Sequence, residues 1–339
     1  MKKQIPATFS LLALIVMIIM YSQKAKAGAA EGWGLCENVI IPSLLPVLIL
    51  TGMIMSSNCC TLLENTVGRV VGRLFNVSPA AAVAIILGLI SGYPAGAVLT
   101  DKLYQNDRVD RDTAVRIMKY NFSGGVAFVI MVVGRVCYGS SGIGAMLYLC
   151  NLFSSVVMGI VLGLRHKNVC ITPSYERRAP LSEAMTQSVH SAVKSILSMC
   201  AYIILFSAVS GIFTLPDFIN PLIEITNGIC CASRRLPIDY CAFFLSFGGF
   251  CIHFQILGII NNFSMKYYEF LISRLAGALI SFFTARILIF AFPQYTDVFS
   301  AGALPVSFEF TQVNTGLSVI MVLGCAVLVL DIENRKLIK

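Results

Sequence analysis

Leu74-Phe-Asn-Val-Ser-Pro-Ala-Ala-Ala-Val-Ala-Ile-Ile-Leu-Gly-Leu-Ile-Ser-Gly-Tyr-Pro-Ala-Gly-Ala-Val-Leu-Thr100 contains no Asp, Glu, Lys or Arg, and it carries its own interruption at Ser91-Gly92-Tyr93-Pro94-Ala95-Gly96. About 20 predominantly apolar residues cross a bilayer core as a helix, so the stretch is long enough. Gly and Pro nevertheless break the i→i−4 ladder and free backbone carbonyls and amides. At membrane depth such backbone is tolerated only against protein or a watery cavity. Residues 136–164, 195–216 and 310–330 are equally uncharged. Of the 339 residues, 57% are apolar and 12% charged, and the mean hydropathy is +0.81. Soluble domains carry about 25% charged residues. The deficit excludes disorder, a nucleic-acid-binding domain and a conventional cytosolic enzyme. This reads as a polytopic helical membrane protein.

Most of the twelve cysteines lie in apolar runs, including the pairs Cys59-Cys60 and Cys230-Cys231, and no C-x-x-C spacing occurs. Zinc or iron–sulfur ligation needs thiolates that converge in a polar pocket. The cysteines therefore read as small packing residues, and no metal or cofactor is expected.

Charge places the loops. Lys2 and Lys3 precede an apolar run from Ile5 to Tyr21, followed by Ala25-Lys26-Ala27-Gly28. The run is long for a signal peptide, and Lys24 and Lys26 crowd the cleavage-like site, so an uncleaved first helix is expected. The stretch 165–194 holds Arg165, Lys167, Arg177, Arg178 and Lys194 against Glu176 and Glu183, which places it in the cytoplasm. Residues 292–309 carry Asp297 and Glu309 without a basic residue and belong outside. Helices at about 271–292 and 312–330 would run out and back, leaving a basic tail inside.

In the first half, a helix over 38–57 returns inward and brings Arg69 and Arg73 to the cytoplasm. Three apolar segments, 78–100, 120–137 and 143–164, then separate them from Arg165. An even number must cross, so one should be re-entrant or interfacial. Two carry breakers: the Ser91–Gly96 stretch, and Asn121-Phe122-Ser123-Gly124-Gly125.

The halves echo each other in order. Thr51-Gly52-Met53-Ile54 matches Ser210-Gly211-Ile212-Phe213, and Leu63-Glu64-Asn65-Thr66-Val67-Gly68 matches Ile223-Glu224-Ile225-Thr226-Asn227-Gly228. Leu89-Ile90-Ser91-Gly92-Tyr93 matches Ser246-Phe247-Gly248-Gly249-Phe250. Since 38–57 runs inward and 195–215 outward, the repeats would be inverted, as in secondary transporters whose substrate lies where paired breaks meet. Residues 219–233 are too short to span, and Glu224 sits in their middle. An intramembrane carboxylate normally faces a cavity or a partner. Glu224 and Glu64 could accept hydrogen bonds from a solute or carry a coupling proton. The competing reading is an interfacial half-helix with its Glu among headgroups.

At these residues the chain resembles the YlbJ-like sporulation integral membrane proteins. That family falls in the wider group with nucleoside-recognition or "Gate" domains, shared with nucleoside transporters and the FeoB iron transporter. The resemblance is carried by Pro42-Ser-Leu-Leu-Pro46, Gly88-Leu-Ile-Ser-Gly-Tyr-Pro-Ala-Gly-Ala97, Asn121-Phe-Ser-Gly124, Glu224-Ile-Thr-Asn-Gly228 and Ser246-Phe-Gly-Gly249 followed by Gln255, within residues 35–290. A proline often follows the Ser-Gly of the third motif in that family, and here Gly125 stands in its place. The resemblance implies a bacterial cell-membrane protein of an endospore former, in the forespore or mother-cell membrane, with a role in spore cortex or envelope formation. It implies a transporter-like fold but establishes no substrate.

The expected architecture is all-α, with about eight transmembrane helices plus re-entrant or broken helices in two inverted Gate-like repeats. Residues 1–30 form an N-terminal transmembrane helix, 31–165 repeat one, 166–190 a basic cytoplasmic linker and 191–292 repeat two. Residues 293–339 supply the last helix and the tail.

The leading expectation is a transporter-like protein that moves a small polar solute through a midplane cavity. Its candidate binding residues are Ser91, Gly92, Tyr93, Pro94, Gly96, Asn121, Ser123, Gly124, Glu224, Thr226, Asn227, Gly248, Gly249 and Gln255. Coupling candidates are Glu64, Glu224 and His253. Helix N-termini at the breaks would favour an anionic or polar group. His253 can relay protons, or simply bond a neighbouring carbonyl. Arg286 and Arg135 are expected to snorkel or to pair with a carboxylate. The mixed-charge stretch 101–119 reads as a solvated amphipathic helix that links the two breaks. No G-x-S-x-G, H-E-x-x-H or P-loop occurs, so no enzyme is expected. Membrane lipid and the solute are the expected partners; nucleic acid is not, and a homo-oligomer stays open. The alternative is a non-transporting membrane scaffold for spore-envelope assembly.

Overall fold

A computed structural model describes residues 4–164, 180–213, 216–260 and 262–292. Most of the basic linker, the acidic outer segment with Asp297 and Glu309, the expected helix at 312–330 and the basic tail lie outside the described residues. Helix α1 (Gln4–Met20) turns at Tyr21 into α2 (Ser22–Ser56). At about 1.5 Å per residue, α2 is some 50 Å long, well beyond the hydrocarbon core. The polar stretch before residue 38 is therefore helical, although its composition did not suggest it. Its partner explains this. Helix α9 (Leu181–Ile212) packs antiparallel along α2, with Gly28 against Ser207 and Gly52 against Ser188. A Cβ on Gly28 would lie 2.2 Å from the Ser207 carbonyl oxygen. Small residues permit that approach, and tertiary packing overrides weak propensity. Within α2, a wide π turn at Cys36–Ile40 precedes Pro42 and relieves the clash that a proline ring causes with the preceding turn.

Helix α3 (Cys59–Phe75) contains a second π turn at Glu64–Gly68 and meets α4 (Pro79–Ser91) at 90°. Ser78 caps α4, accepting from the Ala81 N–H, and Pro79 occupies the position where its missing N–H costs nothing. Buried Arg116 staples this corner by donating to the carbonyls of Phe75 (2.8 Å) and Asn76 (2.7 Å).

After α4 the chain folds back into α5 (Ala95–Gln105). A Cβ on Gly88 would lie 2.8 Å from the Gly96 Cα, whereas eight residues along one helix are about 12 Å apart. Residues 78–100 are thus a helical hairpin rather than a single span. The stretch 101–119 is likewise not one helix, because α5 ends, the chain turns with Asp107 in left-handed conformation, and α6 (Arg111–Met118) begins at an Asp110 cap. Nor is it solvated throughout, since Asp101 and Arg116 are buried. The segment 120–137 is irregular, non-helical backbone over residues 121–125, followed by the short, π-wound α7 (Phe128–Cys137). Uninterrupted among the three is α8 (Ser141–Leu164).

The second half continues from α9 into two short helices, α10 (Asn220–Ile223) and α11 (Ile225–Ala232). Helices α12 (Ile238–Phe247) and α13 (Gly249–Ile259) follow, interrupted only at Gly248, and α14 (Tyr267–Ala291) closes the described chain. Among the described residues, five helices are long and apolar enough to cross a membrane, or six if the bent pair α3–α4 counts as one. The burial pattern is that of a lipid-embedded protein. Leu12, Ile272, Phe283 and Phe290 face outward, while Asn121, Glu224, Gln255 and Arg274 are enclosed. Arg286 pairs with Asp239 at 2.9 Å, and Arg135 is exposed.

Candidate functional site: a cluster of helix breaks

The two breaks of the first half press against each other, in part backbone to backbone. Gly92 closes α4 at φ +80°, and the Tyr93–Pro94 peptide is cis. The Tyr93 N–H donates to the Ser123 carbonyl at 3.0 Å, so the second break satisfies an amide freed by the first. A Cβ on Gly92 would fall 2.1 Å from the Gly125 nitrogen, and one on Gly125 would fall 2.3 Å from the Ser91 carbonyl oxygen. Only glycine fits at either position. Ser91 donates its hydroxyl to Thr51 of α2 at 3.1 Å, and the Asn121 amide fills the space that Gly88 and Gly96 leave. Arg274 of α14, 2% exposed, reaches in to donate to the carbonyls of Phe122 (2.7 Å) and Lys119. Its guanidinium also lies over the Phe122 ring.

Glu224 forms the break of the second half. Its backbone is extended between α10 and α11, and its side chain caps α11. Oε1 accepts from the Thr226 N–H at 2.7 Å and Oε2 from the Asn227 N–H at 2.6 Å. The residue is 1% exposed, and no cationic side chain pairs with it among the described residues. Two amides and the positive end of a helix hold the carboxylate instead. The Cys251 thiol of α13 lies 3.9 Å from Oε1.

Gly248 and Gly249, at φ +90° and +70°, join the halves. A Cβ on Gly248 would meet the Phe122 ring at 2.5 Å, and one on Gly249 would meet the Ile225 nitrogen at 3.1 Å. Tyr93 and Thr226 line one small space with Leu44, Gly125, Phe128 and Met199. Ser91, Gly92, Tyr93, Pro94, Gly96, Asn121, Ser123, Gly124, Glu224, Thr226, Gly248 and Gly249 thus occupy one neighbourhood. Gln255 stands one turn from Cys251 on the same face of α13. Tyr93 Oη, Asn121 Oδ1, Ser123 Oγ and both amide atoms of Gln255 are buried without a partner. Buried polar atoms are nearly always bonded, so such a group points to something else that bonds there.

A line of separate spaces leads toward this cluster. A cavity of about 770 Å³ opens at the molecular face where α9 begins, lined by Cys60, Glu64, Lys102, Arg108, Glu183 and Gln187 among others. A separate space of about 20 Å³ lies between Thr51, Ala95, Ser188, Ser191 and Ser195, and shares Leu99 and Lys102 with the larger cavity. One helical turn further on stand Leu44, Tyr93 and Met199, where the route is closed.

Three candidates point elsewhere. Glu64 sits on the wall of the cavity and pairs with Arg108 at 3.2 Å. The Asn227 side chain donates to Glu31 of α2 at 3.0 Å. His253 bonds the Phe247 carbonyl at 2.9 Å and Tyr267 at 3.2 Å inside a box of Phe122, Phe247, Phe250 and Phe270, so both its nitrogens are engaged. Arg274, Thr51 and Cys251 were not among the candidates. A lone arginine in an apolar run was the available signal for the first, the repeat motif that opens at Thr51 for the second, and nothing marked Cys251.

The chain is similar to the Sporulation integral membrane protein YlbJ of Bacillus subtilis (strain 168), with 22% identity over 355 residues that cover 90% of this chain and 86% of that one. The YlbJ-like resemblance read from the motifs therefore extends over nearly the whole chain. No family model matches the chain, and no solved structure matches it.

Proposed function

From this similarity to a sporulation integral membrane protein, we propose that the chain is a membrane protein of endospore-forming cells and passes a small polar solute through the cluster of breaks. One observation carries the reading: partnerless buried donors and acceptors on Tyr93, Asn121 and Ser123 gather where two helix breaks meet, in a chain that also holds a 770 Å³ cavity. A scaffold needs neither. The solute is neutral or cationic rather than anionic, because Glu224 already occupies the helix N-terminus and no cation among the described residues offsets it. The neutral groups of Tyr93, Asn121, Ser123 and Gln255 orient it. Glu224 is the coupling or charge-reading residue, and Glu64 with Arg108 belongs to the entrance. By the positive-inside rule the entrance is cytoplasmic, since α8 and α9 are joined there by the basic linker. The protein performs no covalent chemistry.

Uptake into vesicles reconstituted with the full chain, using a panel of nucleosides, amino acids and metal ions, tests this reading. Accumulation of a neutral or cationic member above empty vesicles is expected. No accumulation by a correctly inserted, monodisperse protein would favour the scaffold.

A further inference from the structure

A second cavity, of about 330 Å³, lies where α6, the end of α8 and the start of α14 meet, apart from the breaks and their route. Four cations line it (Arg111, Arg116, Lys119 and Lys266) against two carboxylates, Asp112 and Glu269. Lys119 is matched, its ammonium 2.9 Å from Glu269. Asp112 is largely in water, 3.7 Å from Arg111. Arg116 is 3% exposed and spends its terminal nitrogens on two neutral carbonyls, so among the described residues its charge has no counterion and its Nε no partner. The Lys266 ammonium rests over the Tyr268 ring and makes no ion pair among the described residues. The wall therefore holds an excess of positive charge in a partly enclosed, low-dielectric setting.

The same place borders the lipid-facing surface. From Tyr268 onward, Ile272, Leu279, Phe283 and Ile287 form an exposed apolar stripe down α14, while Val115, Leu162 and Met265 line the cavity itself. Charge excess and apolar stripe meet at the start of α14. A free anion would use only the first; a phospholipid uses both.

We infer that this cavity binds the phosphate headgroup of an anionic phospholipid, of the phosphatidylglycerol class, with its acyl chains along the α14 stripe. Basic pockets between membrane helices recognise such headgroups, and each cation near the surface contributes roughly 1 kcal/mol.

Native mass spectrometry of the full chain in detergent, after incubation with phosphatidylglycerol or phosphatidylcholine, tests the assignment. Preferential retention of phosphatidylglycerol by roughly 25-fold, about five-fold for each of the two unmatched cations, is expected. Arg111→Glu with Lys266→Glu should abolish the preference, and Lys266→Gln, which removes only a contact over a ring, should reduce it about five-fold. Lys24→Glu with Lys26→Glu changes the net charge equally at the far end of α2 and should leave it intact. Equal retention of the two lipids, or equal loss in the Lys24/Lys26 variant, would overturn the site. So would thermal stabilisation by inorganic phosphate that matches that by phosphatidylglycerol, since the ligand would then be a soluble anion.

Discussion

The Glu64 carboxylate lies on the wall of a 770 Å³ cavity, 3.2 Å from Arg108, whereas that of Glu224 lies fully enclosed among backbone amides and the Cys251 thiol. Both stand in a Glu-x-Thr-x-Gly run. In α3 the run makes a π turn and the helix continues, so Glu64 projects sideways and finds a cation. In the second half the helix stops at Glu224, and the side chain turns back to cap the next one. The glycine breaks diverge in the same way: Gly92 reverses the chain, while Gly248 interrupts two helices that run on as one 22-residue span. Similar motifs therefore do different work here; the chemistry at each depends on whether the local helix ends or continues.

The glycines offer the largest test. Gly92→Ala would drive a Cβ into the Gly125 backbone at a positive φ, and should cost more than ~3 kcal/mol, seen as loss of monodisperse protein. Gly248→Ala meets only the edge of the Phe122 ring, which can shift, and should cost about 1–3 kcal/mol, from backbone strain. Equal losses in thermal unfolding would erase the distinction between a reversing and a continuing break.

The carboxylates come next. Glu224→Gln keeps shape and one acceptor but removes the charge at the cap, and should lower stability by about 1–2 kcal/mol. Glu64→Gln keeps an acceptor for the Arg108 guanidinium at the cavity wall and should cost less, at most about 1 kcal/mol. A reversed order in paired melting curves would mean that Glu224 is not the structural cap described.

Much of the cluster was legible from composition. Gly92, Pro94, Gly124 and Gly248 announce interruptions because a membrane helix has few other reasons to carry them together. What eluded the sequence depends on distant partners. The helicity of residues 22–37 comes from Gly28 and Gly32 meeting Ser207, far along the chain. Arg274 carries no local signal of its role, and only the fold shows it turned inward onto carbonyls from 152 and 155 positions away. The difference between Glu64 and Glu224 rests on Arg108, which no motif links to Glu64.

A smaller effect separates burial from function. Gln255 keeps both amide atoms buried and unbonded, at a cost that an apolar side chain would not incur. Gln255→Met should therefore leave stability unchanged or raise it by up to about 1 kcal/mol while impairing solute handling. Asn227→Ala, which loses only an exposed contact to Glu31, should change both by less than about 0.5 kcal/mol. A strongly destabilised Gln255→Met would show that the amide serves the fold.

The most direct test of the account measures solute accumulation side by side in vesicles that contain the parent chain, Glu224→Gln or Glu64→Gln, at matched insertion. The parent and Glu64→Gln should accumulate the same neutral or cationic solute, and Glu224→Gln should fall to the level of empty vesicles. Full accumulation by Glu224→Gln, or none by the parent, would contradict a solute site at the cluster of breaks.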